Sequence, residues 1–416
     1  MLNYIFLLFP YSLCVIILKL DKKEKTNDND KFDFIKDYFN DNNFYTNISI
    51  GNPSQIIKSY IRLENFYFYF SSYNIKENYN KTLSLSYKQL NNETIYLANE
   101  FSKGNLSSEK FILLNNNENI ELNDINFILA TRGSYHSYLQ SSGIGLKLNN
   151  DKSNFIYQLK NKGIINSYGF TFFFNNNNEN KGELIIGGYP HEYNDKYNGR
   201  FLRFDKSEIS KEIYSWSIYF NKINFGNKVV NEKILSSFTF DYNGFIANQL
   251  FHNIIYESLF KSLIENKECF KELSDIDYKL YYYYCNYNSS IKNKFQSIYF
   301  HSKNLNYTFI IDKNDVFMYR NNTIYFLILF ERDNILNRWI LGTPFLKKYQ
   351  LIFDQDKKVI GFYCKETEQS HLFYLILIFL LFIFIIYLII FNLKIFLFKK
   401  KKISATELEE DFLNNI

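Results

Sequence analysis

The chain has 416 residues, 46% hydrophobic, 22% charged and 20% aromatic, with 48 basic against 43 acidic side chains and a formal charge of +5. That apolar content excludes a mostly disordered protein, and so small a net charge leaves no basic surface of the kind nucleic acid requires. Only 4 Pro and 15 Gly stand against 36 Tyr and 44 Phe, a bias that looks like AT-rich codon usage and drains the Asn runs of functional meaning.

Met1 to Leu20 hold an apolar stretch, Ile5 to Leu18, with the first charge at Lys19 and a charged run over Asp21 to Lys25. This pattern predicts a secretory signal over residues 1–20 and a short polar lead segment over 21–43. The competing reading is an uncleaved signal anchor, for which the stretch is short. From residue 44 onward short β-prone runs recur between Asn, Gly and Ser: Phe44 to Ile50, Thr82 to Ser86, Gly169 to Phe174, Glu183 to Ile186, Ile218 to Phe225 and Thr308 to Ile311. They predict a mainly β region. Ser153 to Asn161 and Gln249 to Leu263 have the apolar spacing of amphipathic helices. A region of about 320 residues exceeds what one core serves. Two lobes are therefore expected, 44–205 and 206–366, divided near the composition shift at Phe201 to Ser210.

Leu372 to Phe391 is wholly apolar or Tyr, long enough to cross a bilayer, and is followed at once by Lys394 and Lys399 to Lys402. The positive-inside bias makes 372–391 a single transmembrane helix of type I, with 392–416 a cytoplasmic tail and the bulk luminal or extracellular. In that oxidising setting Cys269 and Cys285 can close a disulfide loop worth about 3 kcal/mol. Asn47, Asn80, Asn92, Asn105, Asn288, Asn306 and Asn321 each open an N-x-S/T sequon. The 5 His residues are scattered and no C-x-x-C pair exists, so neither a metal nor another cofactor has support. No nucleophile elbow or phosphate-binding loop occurs either. Tyr281 to Tyr284 reads as a strand beside Cys285.

Several blocks, taken in order, resemble the pepsin-like aspartic proteases, the group that includes the plasmepsins. Phe44 to Gln55 is similar to the opening strand and turn, and Leu83 to Tyr87 to the strand entering the flap, with Tyr87 at the flap tyrosine position. Gly182 to Gly188 resembles the strand and glycine pair, and Trp216 the entry to the second lobe. Trp339 to Tyr349, continuing through Ile352-Phe353-Asp354 to Ile360-Gly361-Phe362, is similar to the C-terminal block almost residue for residue. The resemblance implies a bilobal β fold with a long cleft between the lobes. A bland reading of each block, that it merely holds a sheet together, accounts for the fold and leaves the chemistry open.

That chemistry needs two carboxylates, one per lobe, sharing a proton and one water. Each normally lies in Asp-Thr/Ser-Gly. Counting on from Gly51, the first motif falls on Arg62-Leu63-Glu64, and the second on Asp241-Tyr242-Asn243-Gly244. Asp241 is kept, while Arg62 occupies the first Asp position and bulky Tyr242 crowds the turn unless its ring points away. Arg62 facing Asp241 is expected to lower its pKa and hold it ionised, a salt bridge in place of a dyad. Glu64 is the one nearby replacement for the missing acid. Ser142-Gly143-Ile144-Gly145-Leu146 departs from the family's first-lobe block by having one apolar residue before its second glycine.

These residues lead to a membrane-anchored pepsin-like homologue that has lost catalysis and binds an extended peptide or protein client in its cleft. Tyr87 and Gly244 are its expected substrate-binding residues. The alternative is an active aspartic-type endopeptidase with an atypical site. A third class is a scaffold that presents an outer surface to a partner.

Overall fold

A computed structural model describes residues 15–22, 33–40, 44–63, 67–72, 78–97, 100–115, 118–132, 142–148, 153–174, 180–192, 202–210, 215–274, 280–332, 338–365, 376–395 and 397. The chain divides into two compact units, residues 1–200 with 204–364 and residues 365–416 with 201–203. The first unit is built mainly of strands, and the second contains one long helix.

The strands form because β-branched and aromatic residues alternate with polar ones. In Phe44–Ile50, Phe44, Thr46, Ile48 and Ile50 are buried, while Tyr45, Asn47 and Ser49 face outward. The largest sheet has 13 strands and runs from Leu202–Glu208 through Val359–Lys365, Leu351–Asp354, Gly169–Phe174, Lys181–Ile186 and Ile16–Lys22 to Phe44–Ile50 and the rest of the first lobe. Strands from both ends of the chain thus share one sheet. A 9-stranded sheet, which includes Ile234–Phe238, Phe245–Ala247, Ile328–Glu331 and Arg338–Leu341, and a 4-stranded sheet make the second lobe. The junction expected at 205/206 lies inside strand Leu202–Glu208.

The structure differs from the sequence reading at four places. Ile16–Lys22 is a strand paired with Lys181–Ile186, and Ile16, Leu18 and Leu20 are buried in the core. A signal cut after Leu20 would remove them. The run looks uniformly apolar because its outward residue Ile17 is also covered, packing on Ile185. Thr82 to Ser86 is not a strand; Lys81–Leu83 is one 3₁₀ turn, capped by the Asn80 side chain accepting from the Thr82 amide. Ile218 to Phe225 splits at Asn221 into Ser217–Phe220 and Lys222–Phe225. The candidate membrane-spanning helix is described over Ile376–Ile395 and runs past Asn392 and Lys394, beyond the end expected at Phe391, with the Asn392 side-chain amide donating to the Leu388 carbonyl; residues 372–375 of the expected span lie outside the described residues.

Two expected helices are present with their caps. Phe155–Asn161 starts at Asn154, whose side chain accepts from the Tyr157 amide, and Gln249–Ile255 starts at Asn248, which accepts from the Phe251 amide. The second continues through a wider turn at Tyr256–Phe260 into Lys261–Glu265. Cys269 and Cys285 form a disulfide between the paired strands Cys269–Leu273 and Leu280–Asn286. The helix Ile376–Ile395 has 20 residues and a mean hydropathy of 3.2, long and apolar enough to cross a membrane.

Candidate functional site

The two lobes repeat one local topology. In the first, Gln55–Arg62 runs parallel to Ser142–Gly145, which pairs antiparallel with Phe68–Ser71, which runs parallel to Glu118–Arg132. In the second, Ile234–Phe238 runs parallel to Arg338–Leu341, which pairs antiparallel with Phe245–Ala247, which runs parallel to Ile328–Glu331. Matching backbone bonds close both loops: the Gly145 amide donates to the Tyr67 carbonyl at 2.9 Å and the Gly342 amide to the Gly244 carbonyl at 3.1 Å. In each lobe a glycine strand therefore passes close to a turn that follows a strand end.

Asp241 lies on the second-lobe turn. Its amide donates to Thr239 Oγ1 at 3.1 Å, and that hydroxyl, in turn, lies 3.4 Å from Asp241 Oδ2 as a donor. Arg62 Nη1 reaches Asp241 Oδ1 at 3.4 Å, with side-chain exposures of 12% for Arg62 and 20% for Asp241, and the guanidinium lies over the Tyr60 ring. Burial pushes the Asp241 carboxyl above the usual carboxylate range, while the Arg62 charge, its hydrogen bond and Thr239 oppose this. The expectation of a lowered pKa is thereby corrected. A charge-assisted bond normally closes to about 2.7–2.9 Å, so an ion pair at 3.4 Å recovers only part of what desolvation costs.

The substituted turn is accommodated from outside. The Tyr242 ring stacks on Phe39, with centroids 5.2 Å apart, and so turns away from Asp241. Asn243 donates its amide to the Phe39 carbonyl at 2.9 Å and its side chain to the Tyr38 carbonyl at 2.7 Å. Phe34, Ile35 and Phe39 are buried with Ile246, Leu327, Leu329 and Ile340 on the outer face of the second-lobe sheet. Sequence reasoning missed this segment; Phe34, Ile35 and Phe39 at helical spacing were the available signal.

Gly244 is a packing position. A Cβ there would meet the Leu327 carbonyl at 2.3 Å and the Phe39 ring at 2.7 Å, and one on Gly342 would meet the Gly244 carbonyl at 2.2 Å. Neither offers a surface to a peptide. Tyr87 sits just before strand Lys88–Leu97, at the base of the long hairpin that this strand makes with Glu100–Asn115. Its hydroxyl meets Ser107 Oγ at 2.9 Å and its ring packs on Tyr79. The last described pair of the hairpin is Leu97 with Glu100, at the opposite end from Tyr87, which anchors the hairpin base.

Trp216 donates from its indole nitrogen to the Leu146 carbonyl at 2.8 Å, tying the second lobe to the first beside Gly145. Among the described residues no group of three or more His, Cys, Asp or Glu is placed to hold a metal. The profile described as "Asp: Eukaryotic aspartyl protease" matches residues 43–364. The chain belongs to that family. No curated protein matches it.

Within an aspartyl protease the pairing registers bear directly on Arg62. Arg62 pairs with Gly145, while Phe238 pairs with Leu341, one residue short of Gly342. Arg62 is thus the counterpart of Thr239, and the same offset carries Tyr67 onto Gly244 and Phe68 onto Phe245. Counting on from Gly51 assumes equal hairpins and lands two residues early. The register matches position 64 to Asp241; Glu64 itself lies outside the described residues. Among the described residues, the side chains that reach Asp241 are the Thr239 hydroxyl and, from two positions before the matched one in the first lobe, the Arg62 guanidinium.

Proposed function

We propose that this aspartyl protease homologue is anchored by its C-terminal helix, keeps its bulk on the luminal or extracellular side, and binds extended peptides in its cleft without hydrolysing them. The observation that carries this is the Arg62 guanidinium 3.4 Å from the Asp241 carboxylate. Hydrolysis of an amide by this family requires one carboxylate to take a proton from water while the other gives one to the carbonyl. A guanidinium stays protonated at any physiological pH and accepts no proton. Beside it, Asp241 can be ionised and paired, or protonated and able to donate, but it has no basic partner in Arg62. Peptide binding survives this loss, because an extended chain is held mainly through its own backbone amides and carbonyls. The test is titration of the full-length chain with unfolded polypeptides: saturable binding with the ligand recovered intact is expected, and no affinity for any extended peptide would remove the proposal.

A second reading is favoured by the lobe registers, which match position 64 to Asp241. In it Glu64 and Asp241 form a mixed dyad, Arg62 is a neighbouring cation, and the chain is an acid endopeptidase. Cleavage lost in Glu64→Gln and retained in Arg62→Gln would establish it. Absence of cleavage in the unaltered chain would exclude it.

A further inference from the structure

We propose that Asn306 and Asn321 carry N-linked oligosaccharides, and that the sugar at Asn321 covers an exposed tyrosine pair, Tyr287 and Tyr319. The inference rests on the luminal or extracellular placement given above. Both residues open sequons, Asn306-Tyr307-Thr308 and Asn321-Asn322-Thr323. Both also occupy exposed turns. Asn306 ends the turn between Ile298–Ser302 and Tyr307–Ile311 with φ of 44°, and Asn321 lies between Phe317–Arg320 and Thr323–Phe326 with φ of 48°. Asn enters this left-handed region at lower cost than other side-chain-bearing residues, so these positions hold a tight turn and project an amide away from the sheet. Among the described residues no hydrogen bond engages either side chain.

Two other sequons, those of Asn80 and Asn105, are built differently. The Asn80 side chain accepts from both the amide and the hydroxyl of Thr82, at 3.0 and 2.7 Å, and is half-buried. Asn105 is half-buried within a strand flanked on both sides, paired to Asn92 and to Leu129. A glycan at either would break the fold that holds it.

The tyrosines supply a separate observation. Tyr287 is 59% and Tyr319 42% exposed, and their rings meet edge to face at 6.0 Å. The Tyr287 amide donates to the Asn322 carbonyl at 3.0 Å, which fixes this pair beside the Asn321 turn. The Lys292 ammonium lies over the Tyr319 ring at 4.9 Å, and the more exposed Tyr287 ring, whose negative face attracts the polarised C–H groups of a sugar, gives the first sugar of a glycan its platform here. Transfer forms a bond between the asparagine amide nitrogen and the anomeric carbon of a lipid-diphosphate-linked oligosaccharide. The anomeric carbon–oxygen bond breaks, lipid diphosphate leaves, and the amide nitrogen gives up one proton.

The test uses the full chain from membranes of cells that express it, treated with an amidase that removes N-linked sugar and leaves Asp in place of Asn. Peptide mapping is expected to read Asp at 306 and 321 and unchanged Asn at 80 and 105. Asn306→Gln and Asn321→Gln should each abolish one step of the electrophoretic shift, and removing the sugar should raise nitration of Tyr287 and Tyr319. Unmodified Asn at either position, in a chain whose bulk resists protease added outside sealed vesicles, would overturn the site assignment alone. Digestion of the bulk by that protease would overturn the luminal placement and the proposal with it.

Discussion

Asp241 and Arg62 meet at 3.4 Å in a setting where burial and attraction oppose one another. Asp241→Ala takes a carboxylate acceptor away from the largely desolvated Arg62 guanidinium, so it should destabilise the fold by about 1–3 kcal/mol. Changing both to apolar residues of similar volume should recover most of that loss. A double-mutant cycle by denaturant unfolding measures it. The pH dependence follows from the direction of the shift. Because the folded carboxyl binds its proton more tightly than the unfolded one, its contribution is greatest in acid and is lost as pH rises through the folded pKa. His252 has the opposite sign: burial, with Lys271 adding to it, pushes the imidazole down, although Asn253 opposes. Its contribution is complete above the unfolded pKa and is lost as pH falls through the folded one. Stability measured against pH should lose the first slope in Asp241→Asn and the second in His252→Gln. At this scale the sequence revealed that Asp241 was kept and Arg62 stood nearby. It did not reveal that desolvation outweighs the guanidinium, since burial depends on everything packed around the turn.

Segment Phe34 to Phe39 and strand Ile16–Lys22 show what an element gains from distant partners. Phe39 is fully buried against Tyr242 and Gly244, so Phe39→Ala should cost about 3–5 kcal/mol and loosen the turn carrying Asp241. Hydrogen exchange at the Asn243 amide, which bonds to the Phe39 carbonyl, reports that loosening. Strand Ile16–Lys22 contributes to the core, so the expected signal, 1–20, overlaps a segment the fold uses. N-terminal sequencing of the mature chain should find it beginning no later than Ile16, because later cutting would strip Ile16, Leu18 and Leu20 from the core. The helices Phe155–Asn161 and Gln249–Ile255, whose apolar residues recur within a few positions, were legible in sequence, and so was the disulfide between two cysteines close along the chain. Ile16–Lys22, the turn at Lys81–Leu83 and the place of Tyr87 were not. Each is decided by pairing with residues far along the chain, which local periodicity does not encode.

Across the whole molecule, the fold was legible because the block from Trp339 onward must satisfy two demands at once. Trp339 and Leu341 face the core while Gly342 lets the Gly244 carbonyl approach to hydrogen-bonding distance. Gly342→Ala should therefore prevent folding or leave the chain severely destabilised, read as loss of the cooperative unfolding transition. The site was less legible, because one local insertion or shift moves a motif by two residues without changing any block around it. The central claim, that the cleft binds without cutting, is tested most directly by peptide mass spectrometry. A library of extended peptides is incubated with the full-length chain and with Asp241→Asn, from about pH 4 to about pH 7, the range over which carboxylate and imidazole groups change charge. The account predicts bound peptides recovered at full length from both proteins. Specific cleavage by the unaltered chain that disappears in Asp241→Asn would contradict it.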